Sequence, residues 1–374
     1  MENPFVLIPY LSKSTFCDRK NELQMICDYI QNGSNISLIS PRRYGKTGLI
    51  YRTFDEIKDL KLPLQTFYID IYATQNLEDF IEKLTEGLAD VLNKGSVLKK
   101  LLKSISNIRP VLTYDTITHK AKLSFTFANE QEKKASIQSI FNFLEAQETR
   151  VLLAIDEFQQ IREYEGVNME ALLRSYVQPL KNVQFIFCGS KKHIMAEMFT
   201  DARNPFYEST RHVYLDKIDR ETYANFIEEK FTENGKIITR EAIDYILDWT
   251  RIHTFYTQTL CNTVFMQCRK KATMLDVYRA IDLILTTNTE TFMQWRSILT
   301  RAQWNFLHAV AKEGVVEQPT ASEFISKYKI GTPSNSKRLL EALVEKELIL
   351  PIVGLQSTTY TIYNVFLSRW LERI

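Results

Sequence analysis

The sequence has few cysteines, almost no net charge and no long apolar run, and each shortage excludes a class of protein. Its 374 residues include five cysteines, an odd number without a C-x-x-C pair, so neither a disulfide framework nor a zinc site is indicated. The 47 basic and 45 acidic residues leave a net charge of +2. Composition therefore gives no reason to expect a strongly charged partner such as nucleic acid or a membrane surface.

The chain also lacks segments that would direct it to a membrane. Residues 1–5 show neither the basic start nor the apolar core of a signal peptide. No apolar run approaches the ~20 residues needed to span a bilayer. No internal repeat or low-complexity stretch is visible. We therefore expect a cytoplasmic protein without a membrane partner, whose cysteines are reduced.

Apolar residues, by contrast, are plentiful enough for more than one folded core. The 45% hydrophobic and 25% charged residues are typical of a globular protein, and 374 residues predict two or three domains. We expect soft boundaries near residues 216 and 292, which separate 1–215, 216–291 and 292–374. A hairpin-like insertion is expected at about 108–128, where two β-rich stretches flank a polar link.

Short apolar strands alternate with amphipathic helices through the first 190 residues. The predicted strands lie at 35–39, 65–71, 151–155 and 183–188. The predicted helices lie at 18–30, 47–60, 77–92, 134–146 and 169–180. This alternation predicts an α/β fold with a parallel sheet and helices on both faces. From Asp219 to about Thr287 the strands vanish and helical patterns dominate.

The link between the first strand and the second helix resembles a phosphate-binding loop. Residues 40–47 match the P-loop pattern G-x-x-x-x-G-K-[ST], except that Ser40 replaces the first glycine. Gly45 lets the backbone curl so that amides face phosphates, Lys46 can reach the β- and γ-phosphates, and the Thr47 hydroxyl can ligate Mg²⁺. The expected nucleotide-binding residues are Ser40, Pro41, Arg42, Arg43, Tyr44, Gly45, Lys46, Thr47 and Gly48.

The alternative is that Lys46 merely opens a helix. The loss of the first glycine favours this alternative, because serine tolerates positive φ less well. A second signal weighs against it. An apolar strand at 151–155 ends in Asp156 and Glu157, as in a Walker B motif. Asp156 can hold Mg²⁺ through water, and Glu157 can polarise the attacking water as general base. Acidic pairs at strand ends are common, but one downstream of a P-loop favours nucleotide binding.

A third signal is Ser190, which follows the strand at 183–188. Its hydroxyl could sense the γ-phosphate or place the water, whereas an ordinary Gly-Ser link between strand and loop is the alternative. The expected catalytic residues are thus Glu157, Lys46 and Ser190. The expected metal-binding residues are Thr47 and Asp156.

Together these segments resemble the archaeal-type ATPases of the AAA+/STAND branch. Residues 16–23 look like that family's N-terminal box F-x-G-R-x-x-E-L, with Asp18 in place of the glycine, and residues 40–47 look like its G-P-R-R-x-G-K-T loop. Residues 156–159 look like its Walker B motif and residues 185–190 like its sensor strand. Residues 251–258 are similar to the G-x-P-x-x-x-Q element of its helical lid, although both the glycine and the proline are absent.

The resemblance implies a P-loop NTPase core, a helical lid and a C-terminal winged helix, with ATP or ADP and Mg²⁺ as ligands. It also implies a switch in which nucleotide state changes how the lid and C-terminal domain sit against the core. Ring-forming relatives supply an arginine finger from a neighbouring subunit, and Arg203 and Arg211 lie where such a residue could sit. A surface or core-pairing arginine is the alternative for each. The oligomeric state stays open.

The last 80 residues are patterned like a winged helix. Helices are expected at 301–312, after a capping box at 320–323, and from Ser334, followed by strands near 348–353 and 358–362. In DNA-binding versions the third helix enters the major groove and would present Asn335, Ser336, Lys337 and Arg338. From residue 296 onward, ten basic residues face seven acidic ones, which is only weakly basic. A winged helix used for packing or protein contacts is therefore an equal alternative.

Three hypotheses of function remain. The leading one is an ATPase that binds Mg-ATP and hydrolyses it to ADP and phosphate as a conformational switch. The second is a DNA-binding winged-helix protein regulated by its nucleotide domain. The third is a protein-interaction scaffold with a degenerate nucleotide site.

Overall fold

The computed structural model describes residues 3–91, 109–115, 120–354 and 357–374. The chain folds into two compact units. One unit runs from Ile8 to Lys217, and the other combines the residues up to Leu7 with Ile218–Ile374.

The first unit is built on a parallel sheet, as the alternation of strands and helices predicts. In chain order its strands are β1 (Ile36–Ile39), β2 (Leu64–Asp70), β3 (Arg109–Asp115), β4 (Lys120–Thr126), β5 (Arg150–Asp156), β6 (Val183–Gly189) and β7 (Arg211–Tyr214). Five of them form the sheet, in the order β2-β5-β6-β1-β7, and all pairs in it are parallel. β5 and β6 are almost wholly buried, which explains their continuous apolar sequences.

Helices cover both faces of this sheet. They are α1 (Lys20–Gln31), α2 (Lys46–Asp59), α3 (Leu77–Val91), α4 (Glu130–Glu145), α5 (Met169–Val177) and α6 (Lys192–Thr200). One apolar core joins the sheet to α1 and α2 through residues such as Ile26, Leu49 and Leu152. The other joins its opposite face to α3, α4, α5 and α6 through residues such as Leu84, Phe141 and Phe185. The α/β architecture is thus confirmed.

The expected hairpin forms outside this sheet. β3 pairs with β4 in antiparallel register, with Arg109 opposite Thr126 and Asp115 opposite Lys120. Residues 116–119, which join the two strands, lie outside the described residues. α4 begins at Glu130, four residues before the predicted start, because the Asn129 side chain caps it by accepting a hydrogen bond from the Glu132 amide.

The second unit begins with the helices α7 (Arg220–Glu233), α8 (Arg240–Trp249), α9 (Thr254–Gln267) and α10 (Met274–Ile298). Two short parallel strands, β8 (Ile237–Ile238) and β9 (Lys271–Ala272), pair between them. The expectation that strands vanish over this stretch is therefore wrong in this detail. α10 runs unbroken through residue 292, where a domain boundary is predicted.

The rest of the second unit is a winged helix. Its elements are α11 (Arg301–Glu313), α12 (Ser322–Tyr328), α13 (Pro333–Glu345), β10 (Ile349–Val353), β11 (Thr358–Ile362) and α14 (Val365–Leu371). β10 and β11 pair antiparallel as the wing. The capping box predicted at Thr320 is wrong, because the N-cap residue of α12 is Ala321. The next helix, α13, does have a side-chain cap, because the Thr332 hydroxyl accepts a hydrogen bond from the Asn335 amide.

Within the described ranges, no helix is both long and apolar enough to cross a membrane. All five cysteines are buried, and none of them forms a disulfide.

Candidate nucleotide-binding site

The predicted phosphate loop connects the end of β1 to the start of α2. Arg43 (φ +65°) and Gly45 (φ +96°) are in the left-handed region, which turns the chain back toward the helix. Ser40 is not among the residues with positive φ. It is buried, and its hydroxyl donates a hydrogen bond of 3.1 Å to the Pro41 carbonyl. The missing first glycine therefore creates no backbone strain, contrary to the sequence-based concern.

Lys46 reaches back over this loop from the first turn of α2. Its ammonium donates hydrogen bonds to the carbonyl oxygens of Ser40 (3.2 Å) and Pro41 (3.1 Å), and the residue is only 5% exposed. The positive end of the helix and the buried ammonium thus share one location. Such a location attracts a polyphosphate.

Thr47 and Asp156 meet although they are 109 residues apart in sequence, Thr47 in the first turn of α2 and Asp156 at the end of β5. The Thr47 hydroxyl donates a hydrogen bond of 2.8 Å to Oδ2 of Asp156, the last residue of β5. The Tyr68 hydroxyl donates to the same oxygen at 3.0 Å, and the Glu157 amide donates to Oδ1 at 2.9 Å. Because β1 and β5 are parallel, their carboxyl ends lie at one edge of the sheet, which we call the carboxyl edge.

Glu157 and Ser190 also meet at the carboxyl edge. The Ser190 hydroxyl donates a hydrogen bond of 2.6 Å to Oε2 of Glu157, and the Gln159 amide donates to the same oxygen at 2.5 Å. Glu157 itself adopts φ +55°, which turns the chain sharply out of β5. The carboxylate is therefore held by two donors from two different segments.

Asp70 adds a third acidic residue to this edge. It ends β2 and lies directly opposite Asp156 in the strand register. Asp70 is exposed to solvent on one side, but partial desolvation at this edge raises its pKa. The Tyr72 amide opposes this by donating a hydrogen bond, and the charges of Asp156 and Glu157 add to the increase. Sequence reasoning missed Asp70 and Tyr68, and it included Gln159 in the Walker B resemblance without giving it a role. The position of Asp70 at a strand end, like that of Asp156, is the signal that could have found it.

The remaining residues of the predicted phosphate loop differ in their exposure and in their partners. Arg42 is half-buried and Arg43 is exposed. The Tyr44 carbonyl accepts a hydrogen bond of 3.4 Å from Arg19. Gly48 packs against the N-terminal segment, where an added Cβ would lie 2.6 Å from the Pro9 carbonyl oxygen.

The N-terminal box at residues 16–23 has the left-handed backbone that glycine favours, although Asp18 stands in place of the glycine. Asp18 (φ +57°) and Arg19 (φ +65°) are both left-handed, a conformation in which aspartate is enriched. The Arg19 guanidinium donates hydrogen bonds to Glu22 at 2.9 Å and to the Asp216 carbonyl at 2.5 Å. The box therefore ties α1 to the loop that follows β7.

The two candidate arginine fingers do not reach the acidic residues Asp70, Asp156 and Glu157 of their own chain. Arg203 is ion-paired with Asp201 at 2.6 Å, and 87% of its side chain is exposed. Arg211 opens β7 and pairs with Ile36, the first residue of β1, so it lies at the opposite edge of the sheet. Action on a neighbouring subunit stays a prediction for both.

The element at 251–258, which resembles part of a helical lid, lies in the second unit and contacts the winged helix. Arg251 (φ +56°) and Ile252 (φ +54°) are left-handed, so the backbone keeps the form that a glycine would favour. The Arg251 guanidinium donates hydrogen bonds of 2.7 Å to the Thr361 hydroxyl and 2.8 Å to the Ser368 hydroxyl. Since both partners belong to the winged helix, this arginine ties the helical segment to it.

The prediction that Ser336 is presented to DNA is wrong. Ser336 is buried and donates its hydroxyl hydrogen to the Pro319 carbonyl, so it is part of the packing of α13. Lys337 and Arg338 are exposed, and Arg338 donates a hydrogen bond of 3.1 Å to Asn335.

A phosphate loop and an Asp-Glu pair at the carboxyl edge of a parallel sheet define the P-loop class of nucleotide-binding proteins. Residues 16–251 match the sequence profile described as an ATPase domain predominantly from Archaea. The chain belongs to this ATPase family. Residues 290–373 match a second profile, described as a probable winged helix domain. No curated protein matches the chain.

Solved structures share the fold at low sequence identity. The Walker-type ATPase PABY2304 of Pyrococcus abyssi is 17% identical with a TM-score of 0.67, and the match covers 99% of this chain and 100% of that one. The Aeropyrum pernix ORC2 protein in ADPNP–ADP complexes is 11% identical with a TM-score of 0.60, over 99% and 96% of the two chains. The Aeropyrum pernix ORC1 protein in complex with DNA is 11% identical with a TM-score of 0.55, over 99% and 96%.

Proposed function

We propose that the protein binds Mg-ATP at residues 40–48 and hydrolyses it to ADP and phosphate as a conformational switch. The observation that carries the proposal is the 2.8 Å hydrogen bond from Thr47 to Asp156, beside the buried ammonium of Lys46. It joins the phosphate loop to the acidic end of β5. Membership of an ATPase family supports the same reaction.

The oxygen donors of Thr47 and Asp156 fit Mg²⁺. This ion prefers hard oxygen ligands, keeps several waters and is completed by substrate phosphates, so it needs few protein ligands. No cluster of three or more histidine, cysteine or acidic residues suited to a metal is found among the residues that the structure describes. A hydroxyl and a carboxylate 2.8 Å apart are the protein ligands expected for a magnesium ion that also binds phosphate oxygens. Magnesium would neutralise charge on the phosphates.

Glu157 is suited to the role of general base. Its carboxylate lies next to Asp156 and is oriented by Ser190 and Gln159, which both donate to Oε2. Oε1 receives neither of these hydrogen bonds and can accept a proton from a water molecule. Lys46 supplies positive charge at the phosphate loop, where its ammonium contacts the carbonyls of Ser40 and Pro41. The roles of Glu157, Lys46 and Ser190 rest on these contacts.

Two variants test this proposal. Isothermal titration calorimetry of the wild type with ATP and ADP in Mg²⁺ should show binding that Lys46→Ala abolishes. Glu157→Gln should still bind ATP but turn it over at least ~100-fold more slowly, as expected for loss of a general base. Absence of nucleotide binding to the wild type at millimolar concentration would reject the proposal. Undiminished turnover in Glu157→Gln would reject Glu157 as the base.

DNA binding is a second candidate function, favoured by the exposure of Lys337 and Arg338 near the start of α13. The Aeropyrum pernix ORC1 protein shares the fold and is in complex with DNA. Binding of duplex DNA should weaken as salt increases, and each substitution to alanine should reduce the salt slope by about one unit. Lys346→Ala, at the other end of α13, is the matched control. Absent or salt-insensitive binding would leave the winged helix to packing or protein contacts.

The third hypothesis, a scaffold with a degenerate site, differs in one measurable respect. Such a protein would keep ADP bound but show no turnover of ATP under any condition. Steady release of phosphate by the wild type, lost in Glu157→Gln, would exclude it.

A further inference from the structure

Arg42 lies at the carboxyl edge, which the two predicted arginine fingers, Arg203 and Arg211, do not reach. It is the third residue of the phosphate loop, three positions after β1 ends and just before the left-handed turn at Arg43. Its side chain is half-buried, whereas that of Arg43 is exposed. Two successive arginines of one loop are therefore placed in different surroundings.

The Arg42 side chain is linked to Glu157 through one intermediate residue. Its Nε lies 3.4 Å from the Ser190 hydroxyl oxygen. The same hydroxyl donates to Glu157 at 2.6 Å. The guanidinium is thus two hydrogen bonds from the carboxylate that serves as base in the proposed function.

An aromatic ring supports the guanidinium from the adjacent loop. The central guanidinium carbon of Arg42 lies 5.2 Å from the centre of the Tyr72 ring, an arrangement that stabilises a cation. Tyr72 follows Asp70, so this contact also places Arg42 beside the end of β2. The contacts with Ser190 and Tyr72 together hold the guanidinium between the segments that follow β2 and β6.

We infer that Arg42 acts as an arginine finger in cis: it contacts the terminal phosphate of a nucleoside triphosphate bound to its own chain. This inference rests on the proposed function. A guanidinium at this location neutralises the negative charge that develops on the transferred phosphoryl group. The protein then needs no neighbouring subunit to complete its site.

Three variants test the inference by activity. Arg42→Ala should lower kcat at least ~100-fold, since arginine fingers contribute 10³–10⁵-fold in related chemistry. Arg42→Lys should recover little of this loss, because an ammonium lacks the planar donors of arginine. Arg174→Ala, on α5 and outside the phosphate loop, is the matched control and should turn over like the wild type. Equal kcat in Arg42→Ala and Arg174→Ala would overturn the inference, while binding and turnover in the wild type would keep the proposed function.

A binding measurement separates a catalytic role from a structural one. Arg42→Ala should bind ADP with unchanged Kd, which also shows that it is folded. It should fail to form the ADP–aluminium fluoride complex, which mimics the transferring phosphoryl group and which the wild type and Arg174→Ala should form. Equal complex formation in all three proteins would overturn the inference.

Complementation separates action in cis from action in trans. A mixture of Lys46→Ala, which keeps Arg42, with Arg42→Ala, which keeps the phosphate site, should show no more ATPase activity than the sum of the two. Specific activity of the wild type should also be constant on dilution. Activity restored by mixing would show that the arginine comes from a neighbouring subunit.

Discussion

The Gln159 side-chain amide donates a 2.5 Å hydrogen bond to Oε2 of Glu157, the same oxygen that accepts from Ser190. Gln159 is buried, and its own Oε1 has no hydrogen-bond partner among the described residues. A buried amide that leaves one oxygen unsatisfied is costly, so its orientation is determined by the carboxylate. This relationship makes Gln159 a positioning residue for the proposed base.

We predict that Gln159→Ala lowers kcat by about 10-fold while the Kd for ATP stays unchanged, because the carboxylate loses one of two orienting donors. Single-turnover kinetics and calorimetry measure the two quantities. Gln160→Ala is the control, since the Gln160 side chain bonds instead to the Thr74 carbonyl at 3.0 Å. Equal losses in the two variants would remove the special role of Gln159.

Gly189 should resist any enlargement. A Cβ at this position would overlap Oε1 of Gln159 and the sulfur of Met195, and both neighbours are buried. We predict that Gly189→Ala lowers the free energy of unfolding by about 1–3 kcal/mol, the usual cost of overpacking. Denaturant unfolding measures it. In the double variant Gly189→Ala/Gln159→Ala part of the loss should be recovered, and purely additive effects would contradict this explanation.

Tyr68 should tune the magnesium requirement. Its hydroxyl donates to Oδ2 of Asp156, which also accepts from Thr47. We predict that Tyr68→Phe raises the Mg²⁺ concentration for half-maximal ATP binding by about 10-fold, because partners of metal ligands orient them. Tyr51→Phe is the control, since its ring lies 5.1 Å from that of Tyr68. A magnesium requirement unchanged in Tyr68→Phe would show that this hydrogen bond is dispensable.

Asp70 should destabilise the nucleotide-free protein as pH rises. Its pKa in the folded state is raised above the usual value of 3.8, mainly by partial desolvation, although the residue is partly open to solvent. Its favourable contribution is therefore complete below that value and is lost as pH rises through the folded-state pKa. We predict that Asp70→Asn raises Tm at pH 7 by roughly 1–3 °C and that the gain disappears toward pH 4. Calorimetric scans at several pH values measure this.

Asp201 provides a control of opposite sign. Arg203 lowers the pKa of Asp201 to about 2 through its hydrogen bonds. Its stabilising contribution is therefore present above the usual value and is lost as pH falls toward 2. Asp201→Asn should lower Tm at pH 7, and the difference from the wild type should shrink in acid. The same pH trend in both variants would contradict the assignment for Asp70.

Arg251 should stabilise the junction of helical segment and winged helix. Arg251→Ala keeps the left-handed backbone but removes the bonds to Thr361 and Ser368, so we predict a loss of about 2–3 kcal/mol. Hydrogen exchange in β11 and α14 should accelerate. Arg251→Gly should be less destabilising than Arg251→Ala by about 1 kcal/mol, because glycine relieves the positive φ. Equal stability of these two variants would show that the backbone is unstrained.

The elements of the fold follow closely from local sequence patterns. β5 and β6 are uninterrupted apolar runs because both faces of a central parallel strand are covered, and the loop at 40–47 lies between a strand and a helix. The Asp156–Glu157 pair at a strand end was therefore visible from sequence. Boundaries were less accurate where a cap decided them, as Asn129 did for α4.

The tertiary structure decided which side chains meet. Asp70 and Tyr68 belong to no motif, and the motif that contains Gln159 gives it no role. Only the register of β2 with β5 and the turn after β5 bring these three residues to Asp156 and Glu157. Local sequence likewise placed Arg42 and Arg43 in one loop without telling their environments apart. A backbone pattern specifies the curl of a loop, but the direction of a side chain depends on partners that are remote in sequence.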